Sequence, residues 1–466
     1  MKRRTLILSI ILSLLLLCTG CQTQQVAPTP ESEPETTALS DERVEELYTL
    51  SVQFTEYLSS GDIEASMEMM DATMTEAMDG KLEGTWTQLI DSAGSFLETG
   101  AYVGMAYGEY DILEMTLVFE KASLIQRLVF DSNNSISGLF YKNGEVAAVT
   151  ESPLPEGIAE TPVTVDSGDG YPLDGMLTMP KDMTPIGGIV LVHGSGPNDM
   201  NETVGSNGVF RDLAYSLAEN GIAVLRYNKR TYTYGAEVAS GGQSITLDDE
   251  VAKDAFAAVE LMKSFEGIDG EKIYLLGHSM GGGLLSYINS LGGNCAGYIV
   301  MAGTPRNIWE LSEAQNLLLA KEQEESGDKE SGEAIRSVVE EESRKANGLA
   351  ELSKDETVYG MPVEYLREFD RIDTVALHLT DGLPVLILQG EKDRQVFMTD
   401  YEIWQEALRE HPNATFISYP TLNHLFGEYT KEAVPFMQMV SVEYAERTPV
   451  SDDVIKDITD WIAKLN

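Results

Sequence analysis

The sequence predicts a chain with two folded parts, a small α+β domain followed by a larger α/β domain with helices on both faces of its sheet. With 466 residues the chain is longer than one ordinary domain. Between residues 41 and 150, helical spacing gives way to the alternation of antiparallel strands. Beyond residue 160, continuous apolar runs alternate with helical segments, which is typical of a parallel sheet covered on both faces.

The first 21 residues have the pattern of a secretory signal. Three basic residues precede an apolar run, 6–17, that is too short to span a bilayer. The run ends in "LLCTGC", which resembles a bacterial lipoprotein signal whose last cysteine, here Cys21, is acylated and becomes the mature N-terminus. Cys18 stands where that pattern has an aliphatic residue. The resemblance implies an extracytoplasmic protein whose acyl chains anchor it in the membrane, with plain secretion as the alternative.

Composition and charge exclude several functions. The chain has 76 acidic and 32 basic residues, and this formal charge of -44 is spread over most of its length, which opposes binding to nucleic acid. It contains no zinc-type Cys/His cluster and no phosphate-binding Gly-Lys-Ser/Thr loop, so we expect neither a metal nor a cofactor. Cys295 is the one cysteine beyond the signal region, which predicts a buried thiol and no internal disulfide.

Residues 22–40 and 41–150 differ in texture. The first stretch, "QTQQVAPTPESEPETTALS", is rich in Pro, Thr, Ser, Gln and Glu and predicts a disordered tether. Helical spacing begins at 41, and alternation follows from 101 to 149 with turn residues at 131–134, which predicts helices followed by an antiparallel meander. This element order resembles the NTF2-like cone found ahead of some secreted bacterial hydrolases. No catalytic constellation occurs in this part.

After a linker at 151–160, the sequence predicts a mostly parallel, eight-stranded α/β domain over 161–466. The predicted strands are Val163–Val165, Leu173–Met179, Gly188–His193, Ile222–Arg226, Lys272–Leu276, Gly297–Met301, Val385–Leu388 and Thr415–Ser418. The interval from about 304 to 382 breaks the alternation with a long, charged helical segment. An insertion of that length between core strands predicts a helical cap over the strand ends.

A candidate nucleophile lies in "IYLLGHSMGGG", where an apolar strand runs into a turn and then a helix. A turn that sharp places Ser279 at a strained position with its hydroxyl exposed, and the small neighbours Gly277 and Gly281 leave it room. A Gly-x-Ser-x-Gly match arises by chance in roughly one chain in four of this length, so this pattern needs further support.

That support comes from the residues that follow other strands. "PVLILQG" is followed by Asp393, and "ATFISYP" by His424, so that Ser, Asp and His succeed one another at strand ends that meet at one edge of a parallel sheet. His424 would act as the base for Ser279, and Asp393 would orient its ring. Glu391 and Asp373 are the alternative acids. The other histidines, His193, His278, His378 and His411, lie in less suitable places.

The motifs "HGSGPND", "LRYNKRTYTYG", "GHSMGG", "QGEKDRQV" and "LNHLF" resemble the α/β-hydrolase superfamily and, within it, the EstD-type bacterial carboxylesterases, over about two thirds of the chain. For a developing oxyanion, we expect backbone N–H donors from Met280, after the nucleophile, and from Ser195, in the glycine loop. The basic stretch Arg226–Arg230 has two interpretations: recognition of an acidic substrate group, or ion pairs buried against the sheet.

The sequence therefore predicts a serine carboxylesterase that acts through an acyl-enzyme on small or medium acyl esters. A peptidase, a thioesterase or an acyl-sugar esterase would use the same three residues on another substrate. In a different class, the fold would be an inert, surface-tethered binding module. The expected partners are a small-molecule ester and the membrane, while the oligomeric state is open.

Overall fold

The computed structural model describes residues 36–39, 41–107, 110–120, 122–143, 154–235, 246–354 and 356–465. The described residues before 144 form one compact unit together with Val440–Glu446, and the rest form a second unit. The signal at 1–21, with Cys21, and most of the tether lie outside the described residues. No helix in the described ranges is long and apolar enough to cross a membrane.

The N-terminal unit has helices followed by an antiparallel sheet of sequential strands, as predicted. Its helices are α1 (Asp41–Ser60), α2 (Ile63–Glu68), α3 (Ala72–Met78) and α4 (Leu82–Ala93), and its strands are β1 (Thr36–Ala38), β2 (Phe96–Tyr107), β3 (Tyr110–Phe119), β4 (Ser123–Phe130) and β5 (Ile136–Asn143). Leucine, methionine and phenylalanine side chains from both layers form its core. The resemblance to the NTF2-like cone remains a prediction.

Two short segments differ from the predicted boundaries. Thr36–Ala38, in the predicted tether, pairs with Met105–Tyr107 as an edge strand, because backbone pairing at an edge requires no apolar side chains. The last three residues of the predicted linker 151–160 are part of strand β6 (Ile158–Val165), which pairs with β7 (Leu173–Pro180). The second unit therefore begins its sheet at Ile158.

The second unit has the predicted eight-stranded, mostly parallel sheet. Its remaining strands are β8 (Gly187–Val192), β11 (Ile222–Tyr227), β12 (Ile273–His278), β13 (Gly297–Met301), β16 (Val385–Gly390) and β17 (Ala414–Tyr419), and the two-residue strands β9 (Thr203–Val204) and β10 (Asn207–Gly208) form a separate hairpin. The order across the sheet is β17-β16-β13-β12-β8-β11-β7-β6, and β7 runs antiparallel to both its neighbours. Every residue of β8, β11, β12 and β16 is buried, as expected for central strands covered on both faces.

Helices cover both faces of this sheet. They are α5 (Val209–Glu219), α6 (Arg230–Thr233), α7 (Lys253–Lys263), α8 (Leu285–Ile288), α13 (Met398–Ala407) and α14 (Asp452–Leu465). Tyr274 packs on Trp461 of α14, whereas its neighbour Leu275 belongs to the core that contains Met262 of α7. Because successive strand residues point to opposite faces, α7 and α14 lie on opposite sides of the sheet.

The insertion between β13 and β16 is helical, as predicted. It contains α9 (Ile308–Glu325), α10 (Lys329–Asn347), the hairpin β14 (Thr357–Val358) and β15 (Met361–Pro362), α11 (Val363–Arg371) and α12 (Thr374–Asp381). Asn307 caps the N-terminus of α9, and its own N–H donates to the Glu310 carboxylate. Asp328 caps the N-terminus of α10. Tyr365 of α11 reaches the turn after β12, so this insertion lies over the strand ends.

Candidate active site

Ser279 lies at the sharp turn between β12 and the helical turn Ser279–Gly283. Its φ of 55° is in the left-handed region, which few residues other than glycine adopt. A Cβ on Gly281 would lie 2.4 Å from Val192 O, and one on Gly277 would lie 2.4 Å from Gly281 O. Backbone contacts this close require glycine on both sides of the serine. The structure thus accounts for the Gly-x-Ser-x-Gly pattern.

Replacing Gly281 with alanine is expected to destabilise this unit. The new methyl group would overlap the Val192 carbonyl, and relief of that overlap requires a backbone shift that costs roughly 1–3 kcal/mol. Chemical denaturation of the two proteins measures the loss. Gly157→Ala is the control, because a Cβ there meets no atom within 4 Å. Equal midpoints for wild type and Gly281→Ala would contradict this account of the turn.

Asp393 and His424 are in direct contact. His424 Nδ1 lies 2.7 Å from Asp393 Oδ2, and both side chains are buried. The other carboxylate oxygen, Oδ1, accepts the backbone N–H groups of Gln395 at 2.8 Å and Val396 at 3.0 Å, and Gln389 Nε2 donates to Oδ2 at 3.1 Å. The carboxylate is thus fixed on several sides, and it holds His424 with the proton on Nδ1.

A close backbone approach brings the two loops together. A Cβ on Gly390, the last residue of β16, would lie 2.3 Å from Leu422 O, so only glycine allows the chain after β17 to come this near. Asp393 and His424 each follow one of these adjoining strands. The contact between the acid and the base therefore depends on the packing of the two strand ends.

His424 and Ser279 are not hydrogen-bonded to each other. Ser279 Oγ makes no hydrogen bond with any residue in the described ranges. The main chain of His424 is nonetheless anchored beside the turn, since its carbonyl accepts a hydrogen bond from His278, the residue before Ser279. A general base and its nucleophile often reach hydrogen-bond distance only in the complex with substrate, so the lack of a bond here does not separate their roles.

The alternative acids have other partners. Glu391 accepts a hydrogen bond from the Ser418 hydroxyl at 2.9 Å, and Asp373 caps α12 by accepting the Ala376 N–H at 2.9 Å. Neither carboxylate contacts His424, which leaves Asp393 as its partner.

Of the other histidines, only His278 contacts a carboxylate among the described residues. Burial lowers the pKa of His193 to about 4 and that of His378 to about 3, so both are weak bases. His411 contacts the carbonyl of His378 through Nε2. His278 contacts Glu202 and has its other nitrogen on the His424 carbonyl, so it has no nitrogen free for Ser279.

The loop with Ser195 is held by buried donors. Lys229 Nζ donates to Gly194 O at 2.9 Å, and Asn198 Nδ2 lies 3.2 to 3.4 Å from the carbonyls of Gly194, Ser195 and Gly196. In a trans peptide the N–H of Ser195 points away from the Gly194 carbonyl, and hence away from Lys229. A Cβ on Gly194 would lie 3.1 Å from Ser279 Cβ, so the loop lies against the nucleophile.

Met280, the other expected donor, is the second residue of the helical turn, where the first N–H groups have no partner within the helix. Its side chain is buried, and its sulfur lies 3.5 Å from the Tyr365 hydroxyl of α11. A cavity between the turn and the insertion is lined by Met280, Gly283, Leu284, Thr304, Pro305, Arg306, Asn307, Ile308, Phe369, Ile372 and Thr374. This cavity adjoins the residue after the nucleophile and mixes apolar and polar walls.

The basic stretch at the end of β11 and just beyond it forms ion pairs within the fold. Arg226 pairs with Glu160 at 2.6 Å, Lys229 with Glu250 at 2.5 Å and Arg230 with Asp254 at 2.6 Å. The charges of these side chains are therefore compensated within the fold, which favours the second of the two interpretations of this stretch.

Sequence reasoning did not identify several residues that hold the site. These are Asn198 in the glycine loop, Glu202 with His278, Glu250 with Tyr365, and Gln389 beside the acid. Asn198 stands within "HGSGPND" and Gln389 within "QGEKD", so both were inside noted motifs. Glu202 and Tyr365 have no local signal, because their partners lie far away in the sequence.

Comparison with known proteins agrees with this fold. The model of the serine aminopeptidase S33 family of hydrolases matches residues 184–428, and the chain belongs to this family. Residues 51–139 match a family of proteins of unknown function (DUF3887). Esterase EstD of Thermotoga maritima is 31% identical over 422 residues, which cover 88% of this chain and 94% of EstD.

Similar solved structures include two esterases. Est1E of Butyrivibrio proteoclasticus has 16% identity and a TM-score of 0.41, over 65% of this chain and 98% of Est1E. An esterase of Pyrococcus furiosus has 14% identity and a TM-score of 0.38, over 66% of this chain and 91% of its own.

Proposed function

We propose that the protein is a serine carboxylesterase that cleaves esters of small or medium acyl groups through an acyl-enzyme. The observation that carries this proposal is the contact between Asp393 and His424 next to a serine on a strained turn. EstD, which is named an esterase and matches along nearly the whole chain, supports the same activity.

The proposed mechanism assigns one task to each group. His424 Nε2 removes the Ser279 proton while Oγ attacks the ester carbonyl, and Asp393 stabilises the imidazolium that forms. The N–H groups of Ser195 and Met280 bind the oxyanion, each donor contributing about 2.7–4 kcal/mol in comparable sites. His424 then gives its proton to the departing alcohol. A water molecule, deprotonated by the same histidine, releases the acid and restores the serine.

The family description names an aminopeptidase, which is the second candidate. Such an enzyme needs a carboxylate to hold the substrate's ammonium group. Glu202, Glu250 and Asp393 near the turn each already have buried partners in the fold, and Asp370 beside the cavity accepts a hydrogen bond from Asn307 Nδ2. This arrangement favours an ester over a peptide with a free N-terminus.

A substrate panel tests the proposal. We expect wild type to hydrolyse p-nitrophenyl esters, with the highest kcat/KM on short or medium acyl chains, and to leave aminoacyl p-nitroanilides uncleaved. A fluorophosphonate probe should label the same preparation. A folded protein that is neither labelled nor active on any ester would favour the inert binding module, whereas faster cleavage of the anilides would favour the peptidase.

We further propose that the mature protein is held on the outer side of a cell membrane by lipid on Cys21. The lipoprotein-like "LLCTGC" supports this proposal. Cys21→Ala is expected to move the protein from the membrane to the soluble fraction after expression in a bacterial host, measured by fractionation and blotting. Cys18→Ala is the matched control and should stay in the membrane. Unchanged partition of Cys21→Ala would refute the anchor.

A further inference from the structure

Glu202 and His278 form a buried pair beside the candidate active site. Glu202 is 2% and His278 3% exposed, and Glu202 has a φ of 48° in the left-handed region. An acidic residue that is both buried and strained is costly unless its surroundings hold it. The contacts of Glu202 must therefore offset this cost.

The pair links the glycine loop to the backbone of His424. Glu202 Oε1 accepts the N–H of Gly194 at 2.8 Å, and Oε2 lies 2.9 Å from His278 Nδ1. His278 Nε2 lies 2.9 Å from the carbonyl of His424, and the rings of His278 and His424 are 4.6 Å apart. One chain of hydrogen bonds thus joins the glycine loop, the serine turn and the backbone of the base.

The partners determine the protonation of the pair. A carboxylate and a carbonyl oxygen face the two nitrogens of His278, and a charged imidazole donates to both. Burial opposes that charge, but the Glu202 carboxylate outweighs it and holds the pKa of His278 above its ordinary value. Burial likewise raises the pKa of Glu202, but the charge and hydrogen bond of His278 have the larger combined effect, and the pKa of Glu202 is lowered. The two acceptors that face His278 and the directions of both pKa shifts together favour an ion pair.

We propose that Glu202 and His278 are positioning residues that fix the oxyanion loop and the backbone of His424 relative to Ser279. Neither would touch the substrate. The inference rests on the proposed esterase activity. Since Glu202 holds the N–H of Gly194 while Lys229 holds its carbonyl, the loop that carries Ser195 has little freedom to rotate.

The test compares Glu202→Leu with Glu202→Gln. Leucine removes both contacts, and a shift of about 1 Å at the loop would lower kcat per titrated site about 10- to 100-fold. Glutamine restores them: its carbonyl accepts from Gly194 and its amide donates to Nδ1 of a neutral His278, whose Nε2–H still reaches His424. We therefore expect Glu202→Gln to recover kcat to within about fivefold of wild type, with KM nearly constant throughout.

Glu160→Leu is the matched control. It removes the carboxylate partner of the buried Arg226, on the edge strand β6 far from β12 in the sheet. It should lower the melting temperature and leave kcat per titrated site unchanged. Active-site titration with a fluorophosphonate separates loss of folded protein from loss of rate.

An unchanged kcat per titrated site in Glu202→Leu would overturn the proposal, as would a Glu202→Gln variant as slow as the leucine variant. If Glu202→Leu does not fold, Glu202→Asp replaces it. Aspartate keeps the charge but is too short to reach both partners, so the same loss is expected and wild-type kcat would refute the inference. An inactive wild type would instead refute the esterase assignment.

Discussion

Ser279→Ala is expected to lower kcat on a p-nitrophenyl ester by about 10⁶-fold, the loss seen when a nucleophile of this kind is removed. Alanine at this position keeps the turn, because its methyl group occupies the place of the serine Cβ beside Gly194. The oxyanion donors would still bind the carbonyl, so a small residual rate above the reaction in water is expected. Fluorophosphonate labelling should disappear in parallel.

Ser264→Ala is the control for this change. Ser264 is an exposed serine at the end of α7 whose hydroxyl donates to the Leu261 carbonyl. It should retain wild-type turnover and labelling. Substantial esterase activity in a folded, purified Ser279→Ala protein would place the nucleophile elsewhere.

Asp393→Asn is expected to lower kcat by about 10⁴-fold through the tautomer of His424. The oxygen at Oδ1 accepts two backbone N–H groups, so asparagine would keep its carbonyl there and turn its NH₂ toward the histidine. His424 Nδ1 would then have to accept. Its proton would move to Nε2, where it prevents the removal of the serine proton.

Steady-state kinetics measure the loss of kcat, and a melting curve shows whether Asp393→Asn is still folded. Asp373→Asn and Glu391→Gln serve as controls, because these carboxylates contact other groups. A near-normal rate for Asp393→Asn, or a 10⁴-fold loss in either control, would assign the acid to another residue.

The sheet was predictable because its strands are runs of apolar residues, and burial on both faces requires that composition. The predicted start of β6, Val163, came five residues after its actual start at Ile158. Three residues of "IAETPVTV" are polar and one is Pro162, and an edge strand tolerates both. The positions of Asp393 and His424 also followed from the sequence, since each lies in the loop that follows an apolar strand.

The supporting contacts were not predictable in the same way. The side chain of Glu202 meets a residue 76 positions later, and Tyr365 meets Glu250 across 115 positions. No periodicity or turn signal relates residues at such distances. The two interpretations of Arg226–Arg230 stayed open for the same reason, because their acidic partners became visible only in three dimensions.

The buried chain from Gly194 through Lys229 and Glu250 to the hydroxyl of Tyr365 has a consequence for protein engineering. A chimera that receives the insertion of another hydrolase would lose that hydroxyl and leave a buried carboxylate with one partner fewer. Such a graft would then disturb the glycine loop beside Ser279 as well as the insertion itself. A hydrolase whose own insertion has a tyrosine at the position equivalent to Tyr365 would be the better source for such a chimera, because this contact would be kept.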